Sequence, residues 1–298
     1  MRGEKSEYAM KQYPMRQILT AAGFSSAGWY GKKRRQGIAH KKPGPEPILS
    51  DEKLLEEVLK EIKNSIFNSQ GYKKISRRLK ERGIKANRKR VYRLMKEKGL
   101  LLPTKNKKNG SSRKHDGTII TGMPNRMWGT DGKKFYTEED GWCWFFGVID
   151  HCNDEILGWH AVKIGDRFAA LEPVKQACKK VFYSLEHNIC KGTGLFLRAD
   201  HGSQYDSNDF QKEREFLGIE YSPAFVRSPE CNGIIERFHR TLQEQLFGVM
   251  QFKNLEEARE WIGYFIVNYN HHWIIERLGY QSPICYRENQ EKLCLKIA

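Results

Sequence analysis

The chain has 298 residues, with 52 Lys+Arg against 36 Asp+Glu, a formal net charge of +16. No apolar run approaches the ~18 residues of a membrane span, and MRGEKSEYAMKQYPM has no apolar segment of the kind a secretory leader needs. The seven cysteines are scattered without a CxxC pair, giving no sign of a zinc site or disulfide framework; a reducing, cytoplasmic setting is expected. The charge is polarised. Residues 1–115 hold 31 Lys+Arg and 10 Asp+Glu, whereas residues 116–298 hold 21 and 26. A basic front and a mildly acidic back predict a polyanion-binding arm joined to a different kind of domain.

In chain order, residues 14–35 predict a small helix-turn-helix. Met15, Ile18, Leu19 and Ala22 share one helical face, Gly23 stops the helix, Ser25 or Ser26 caps a second, and Trp29 and Tyr30 pack back. KKPGPEP (41–47) cannot continue helix or sheet and reads as a linker. A second helical module follows. Its first helix carries Leu54, Leu55, Val58, Leu59 and Ile62, its second Tyr72, Ile75 and Leu79. A third, capped by Asn87, turns Val91, Leu94 and Met95 inward. Its outer face presents Arg88, Lys89, Arg90 and Arg93; with Lys73 and Lys74 these are the expected DNA contacts, suited to a major groove. The predicted domains are 1–40, a small helix-turn-helix segment; 41–50, a linker; 51–102, a basic helical DNA-binding domain; 103–120, a basic linker; 121–288, a core; and 289–298, a tail.

From about residue 125 aromatic and β-branched runs take over. MWGTDGKKFYT (127–137), WCWFFGVIDHC (142–152) and EILGWHAVKI (155–164), with turns at Gly141 and Asn153-Asp154, predict an antiparallel meander. A helix over 166–183, a short strand GLFLRAD (194–200), a helix over 207–217, a strand over 219–224 and helices over 232–250 and 254–270 complete a mixed sheet with helices on its faces. Trp128, Trp142 and Trp144 are expected in the core.

Three carboxylates stand at element ends: Asp131, Asp200 and Glu236, separated by 68 and 35 residues. In-line phosphodiester cleavage needs charge stabilised on the entering and leaving oxygens, which two Mg²⁺ ions do together. Hard cations want oxygen ligands, and three acids suffice if one bridges.

WGTD, RADHGSQY (198–205) and NGIIERFHRTL (232–242) resemble the DDE catalytic core of bacterial insertion-sequence transposases of the two-reading-frame group, related to retroviral integrases. The 35-residue gap is that family's spacing. The module at 51–100 resembles the helical domain preceding the core, and YN…LGYQSP (269–283) resembles the C-terminal signature, so the resemblance covers nearly the whole chain. It implies a ribonuclease H-like α/β fold with a mixed five-stranded sheet, preceded by all-α helix-turn-helix modules. It also implies two Mg²⁺ ions, with Mn²⁺ as substitute, on Asp131, Asp200 and Glu236. The implied activity is 3′-end nicking at terminal inverted repeats followed by strand transfer by the freed 3′-OH. The partners implied are double-stranded DNA, a synaptic multimer of the chain itself and an upstream reading-frame product. The chain departs from the family pattern where a basic residue usually follows seven positions after the Glu: Gln243 stands there, with Arg240 one turn earlier as substitute.

Other residues are read more plainly. His201 and Asn232 are expected to support the site. Asp150 caps the turn at His151–Asp154, Asp206 and Asp209 cap a helix, and His271-His272 lacks partners for a metal. The rival readings are a catalytically inactive relic that binds DNA and represses, which needs no triad, and a ribonuclease H-like nuclease that hydrolyses without joining.

Overall fold

The computed structural model describes residues 13–35, 48–103, 120–200, 202–222 and 232–297. The described residues fall into two compact units, divided between Ile48 and Leu49. In the first unit α1 (Met15–Ala21) ends at Gly23, whose φ of 69° lies in the left-handed region that favours glycine. α2 (Ser26–Arg35) begins where Gly28 N–H donates to Ser25 Oγ at 3.3 Å. Trp29 and Tyr30 do not pack back: they are 45% and 53% exposed. Two helices of 7 and 10 residues are too short to enclose an aromatic side chain. The segment 41–47, read as a linker, lies outside the described residues.

In the second unit, three helices build a small core of their own. α3 (Asp51–Lys63) starts at Ser50, whose hydroxyl accepts Lys53 N–H; α4 spans Tyr72–Glu81; α5 (Arg88–Glu97) starts at Asn87, whose side chain accepts Lys89 N–H at 2.9 Å. Leu54, Val58, Ile75, Leu79, Val91, Leu94 and Met95 interlock as their helical spacing requires, while Leu59 stays outside.

The remainder is a five-stranded sheet: β1 (Met127–Thr137), β2 (Gly141–Asp150), β3 (Ile156–Val162), β4 (Phe196–Arg198) and β5 (Glu220–Tyr221). The order is β3-β2-β1-β4-β5; β1, β2 and β3 form the expected antiparallel meander, and β4 and β5 run parallel to β1. This mixed sheet with flanking helices is the ribonuclease H-like arrangement. Side chains alternate across it. Phe135, Cys143, Phe145 and Ile149 enter one core with α8 (Gly233–Leu242) and α9 (Leu255–His272). Trp128, Phe146, Val148 and Leu197 enter the other with α6 (Arg167–Phe182) and α7 (Asn208–Leu217).

Three local outcomes differ from the sequence reading. The single helix expected over 232–250 is α8 followed by a π-helical turn, Gln243–Phe247. The cap of α7 is Ser207, which accepts Phe210 N–H; Asp209 pairs instead with Arg167. α10 (Pro283–Ile297) runs across the expected boundary at 288. It is anchored by Arg287 to the buried carboxylate of Glu155 at 2.8 Å, an ionic tether that leaves no apolar period in the sequence.

Candidate active site

Asp131 sits midway along β1, opposite Gly147, on the face covered by α8. The parallel register pairs Gly129 with Arg198. Asp200 follows two residues beyond that last pair, at the same end of the sheet. β4 has ended by then, and the chain turns as Gly202 N–H donates to Asp200 Oδ1 at 3.1 Å. Tyr205, completely buried, lies beside both acids: burial first, then the charges of Asp131 and Asp200, push its phenol well above its ordinary range.

Glu236 lies in the first turn of α8, where the positive end of the helix dipole favours a carboxylate. Its carboxyl is nevertheless raised, by partial burial and then by the charge of Asp131, with His239 and Arg240 opposing. Asp131 itself is held at both oxygens: Oδ1 accepts Gly132 N–H at 2.8 Å, and Oδ2 lies 3.3 Å from His239 Nδ1. The start of α8 is tied to β1 by buried Asn232, whose Nδ2 donates to the Thr130 carbonyl at 3.2 Å. Gly129 makes room for that approach, since a Cβ there would lie 2.6 Å from His151 Nε2 and 3.0 Å from Asn232 Oδ1.

The fold thus brings Asp131 within electrostatic reach of Glu236, and Asp131 and Asp200 each within reach of Tyr205. Among the described residues no three His, Cys, Asp or Glu side chains stand close enough to hold a single ion. Mg²⁺ keeps much of its water and takes only one or two carboxylates, so paired acids fit it. The mutual repulsion of Asp131 and Glu236 is what a cation between them would relieve.

His239 was not singled out in the sequence, though its place three residues after Glu236 puts both on one helix face. His201 lies outside the described residues. Arg240 is exposed and close enough to lower the carboxyl of Glu236. Gln243 lines a cavity of about 480 Å³ with Lys134, Tyr136, Trp142 and Phe247, away from the carboxylates. Trp142 is 65% exposed, correcting the expectation of a core residue, whereas Trp128 is fully buried. Asp150 accepts Asn125 and Cys152 N–H at 2.6 and 2.7 Å, the turn role expected of it.

The basic residues of the helical module are mostly engaged. Arg90 and Arg93 both reach Asp51 at 2.6 Å, Lys73 pairs with Glu276 at 2.7 Å, and Arg88 lies beside Glu276 and Tyr280. Lys89 is exposed, with Lys80, Lys85, Lys96 and Lys98 on the same module. Lys74 does not present its charge to DNA, contrary to expectation: its Nζ is buried 3.0 Å above the Trp273 ring.

Burial, then Arg78 and Arg237, lower the Lys74 ammonium to about 6. Attraction to the indole face is worth about 2 kcal/mol or somewhat more when desolvated, less than the several kcal/mol that burying an ammonium costs. The folded state therefore releases this proton near pH 6, the unfolded chain near its ordinary value of 10.5. Between the two the unfolded chain binds more protons, so stability rises with pH. Lys74→Met is expected to raise the melting temperature, most below pH 6 and less toward pH 10. A melting series across pH checks this.

Two family models match the two parts of this architecture. Residues 50–108 match a family model described as an HTH-like domain, and residues 217–283 one described as an integrase core domain. Over 204 residues, 66% of this chain, it is 30% identical to a putative transposase InsD for insertion element IS2E of Escherichia coli (strain K12), covering 89% of that protein. It is equally similar to the transposase InsD for insertion element IS2A/D/F/H/I/K of Escherichia coli, of which it spans 64%. Among solved structures it aligns with a simian T-cell lymphotropic virus intasome in complex with PP2A regulatory subunit B56 gamma. That alignment has TM-score 0.46 and 14% identity, over 73% of this chain and 70% of that one. With the catalytic core domain of BIV integrase the values are 0.40 and 16%, over 57% and 99%. By its curated relatives, its two matched domains and the topology of its sheet, the chain belongs to the insertion-sequence transposases.

Proposed function

We propose that this chain is a DDE-type transposase that nicks the 3′ ends of an insertion element at its terminal inverted repeats and joins them to target DNA. The observation that supports the reading is that Asp131 acts on the carboxyl of Glu236 across the β1–α8 contact, while Asp131 and Asp200 both act on the buried Tyr205. Asp131, Asp200 and Glu236 would be the ligands of two Mg²⁺ ions, for which Mn²⁺ would substitute. When bound, such ions would supply charge stabilisation for in-line displacement at phosphorus by water and then by a 3′-hydroxyl. His239 orients Asp131, Asn232 fixes the start of α8 and hence Glu236, and Arg240 offers a cation beside the acids for a backbone phosphate. The exposed lysines of the helical module grip duplex DNA through its phosphates. Two element ends must be brought together, so the active species is a multimer. An upstream reading-frame product is a further partner, and the working place is the cytoplasm, at the nucleoid.

The test is incubation of purified protein with Mg²⁺ and labelled DNA carrying the element ends from its genomic flanks. A transposase yields 3′-nicked ends and joined products. Hydrolysis without joining would identify a nuclease instead, and binding without either product would identify an inactive, repressor-like relic.

A further inference from the structure

The loop joining α3 to α4 is built into the catalytic domain. Phe67, 5% exposed, belongs to the same apolar core as Phe145 and Phe238. It meets Phe265 and Trp273 edge-on at 6.2 and 4.8 Å. The next two residues close around Gln245, itself buried in the π-helical turn that continues α8 beyond Glu236. Asn68 Nδ2 donates to the Gln245 carbonyl at 2.7 Å. Gln245 Nε2 donates to Ser69 Oγ at 2.8 Å and to the Ser69 carbonyl at 3.1 Å, and Gln245 Oε1 accepts Ser69 N–H at 3.3 Å. Further out, Arg78 donates to the His272 carbonyl at 3.0 Å and Lys73 pairs with Glu276. A buried side chain that uses both ends of its amide on one residue of another domain is a specific lock, because breaking it strands desolvated donors and acceptors.

We propose that Phe67 and Gln245 form a clamp that fixes the DNA-gripping module to the helix bearing Glu236, and that this clamp sets which phosphodiester is cut. Both are positioning residues; neither touches the reacting atoms. The inference rests on the transposase reading above. Magnitudes decide what the clamp adds. A free tether as long as 103–120 would let the two domains wander by roughly 20–25 Å, about seven steps of duplex at 3.4 Å each. With the clamp closed, the gripped sequence and the acids keep a fixed separation, and the cut falls at one position.

The full chain is tested with end-labelled element DNA and Mg²⁺, mapping cuts to the nucleotide. Gln245→Ala is expected to spread a single cut over several neighbouring positions. DNA affinity and total cleavage should stay within about threefold, and limited proteolysis across 65–70 should speed up at least tenfold. Phe67→Leu, which keeps the core filled, is expected to give a milder spread. A second readout does not depend on catalysis: an iron chelate coupled to exposed Cys285, with Cys231 and Cys294 changed to serine, cuts nearby DNA wherever the core rests. Its pattern should be sharp in the parent and broad in Gln245→Ala. If the chelate pattern broadens but no variant cleaves, the clamp stands and the transposase reading fails. If Gln245→Ala cuts at one unshifted position with only its rate reduced, or if the chelate pattern stays sharp, the clamp is overturned.

Discussion

Replacing Asp200 by asparagine is expected to lower Mg²⁺-dependent cleavage by roughly 10²–10³-fold or more, the scale on which a group aimed at transition-state charge is missed, with DNA affinity within about twofold. Asparagine keeps the shape and still offers an oxygen to Gly202 N–H, so the turn after β4 survives while one negative charge is lost. Asp131→Asn and Glu236→Gln should be as severe in cleavage, but they separate from Asp200→Asn without metal. The carboxyl of Glu236 is raised above its ordinary 4.5 by burial and by Asp131. The folded state thus holds that proton at pH values where the unfolded chain has released it. Stability is therefore lost as pH rises from 4.5 through the raised folded value. Glu236→Gln and Asp131→Asn should raise the metal-free melting temperature at pH 7 and not at pH 4. Mg²⁺ should stabilise the parent, as any ligand of the folded state does, and stabilise each variant less. Parent-like cleavage by Asp200→Asn would remove the acids from the chemistry.

The elements that carry the three acids are legible in the sequence because each acid sits in or beside an apolar run. The aromatic and β-branched residues of MWGTDGKKFYT announce β1, the strand that carries Asp131. The amphipathic spacing of Ile234, Ile235, Phe238 and Leu242 announces α8 and hence the exposure of Glu236. Periodicity tells which face is polar but not what that face meets. Lys73 and Glu276 lie 203 positions apart, and nothing local to either shows that they pair, so Lys73 and Lys74 read as DNA contacts while the fold spends them on docking the module. Trp142 was misread for a related reason. It stands beside Gly141 at the hairpin tip, packed edge-on against Tyr136 at 5.6 Å, where the strands outrun the helices that cover the sheet. His239 escaped because its partner, Asp131, is supplied by a strand more than a hundred residues earlier.

Phe238→Ala should cost about 3–5 kcal/mol, the range for removing a buried aromatic side chain, which for a unit of this size lowers the melting temperature by roughly 6–20 °C. Phe238 is 1% exposed, on the inner side of α8 two residues after Glu236. Its ring meets Tyr269 at 5.0 Å, Phe145 at 6.1 Å and Phe265 at 6.4 Å, joining α8 to β2 and α9 at once. With Ile234, Ile235 and Leu242 it holds the helix that carries Glu236 against the sheet, so the loss is both energetic and positional. Phe238→Leu keeps most of the volume and should cost less than about 1.5–2 kcal/mol. Urea and thermal melts of the two variants read the stability term. Cleavage assayed well below each melting temperature reads the positional one, and it should fall further in Phe238→Ala than the folded fraction does. A melting temperature within about 2 °C of the parent would mean that α8 is held by the hydrogen bond from Asn232 to β1 rather than by this aromatic cluster.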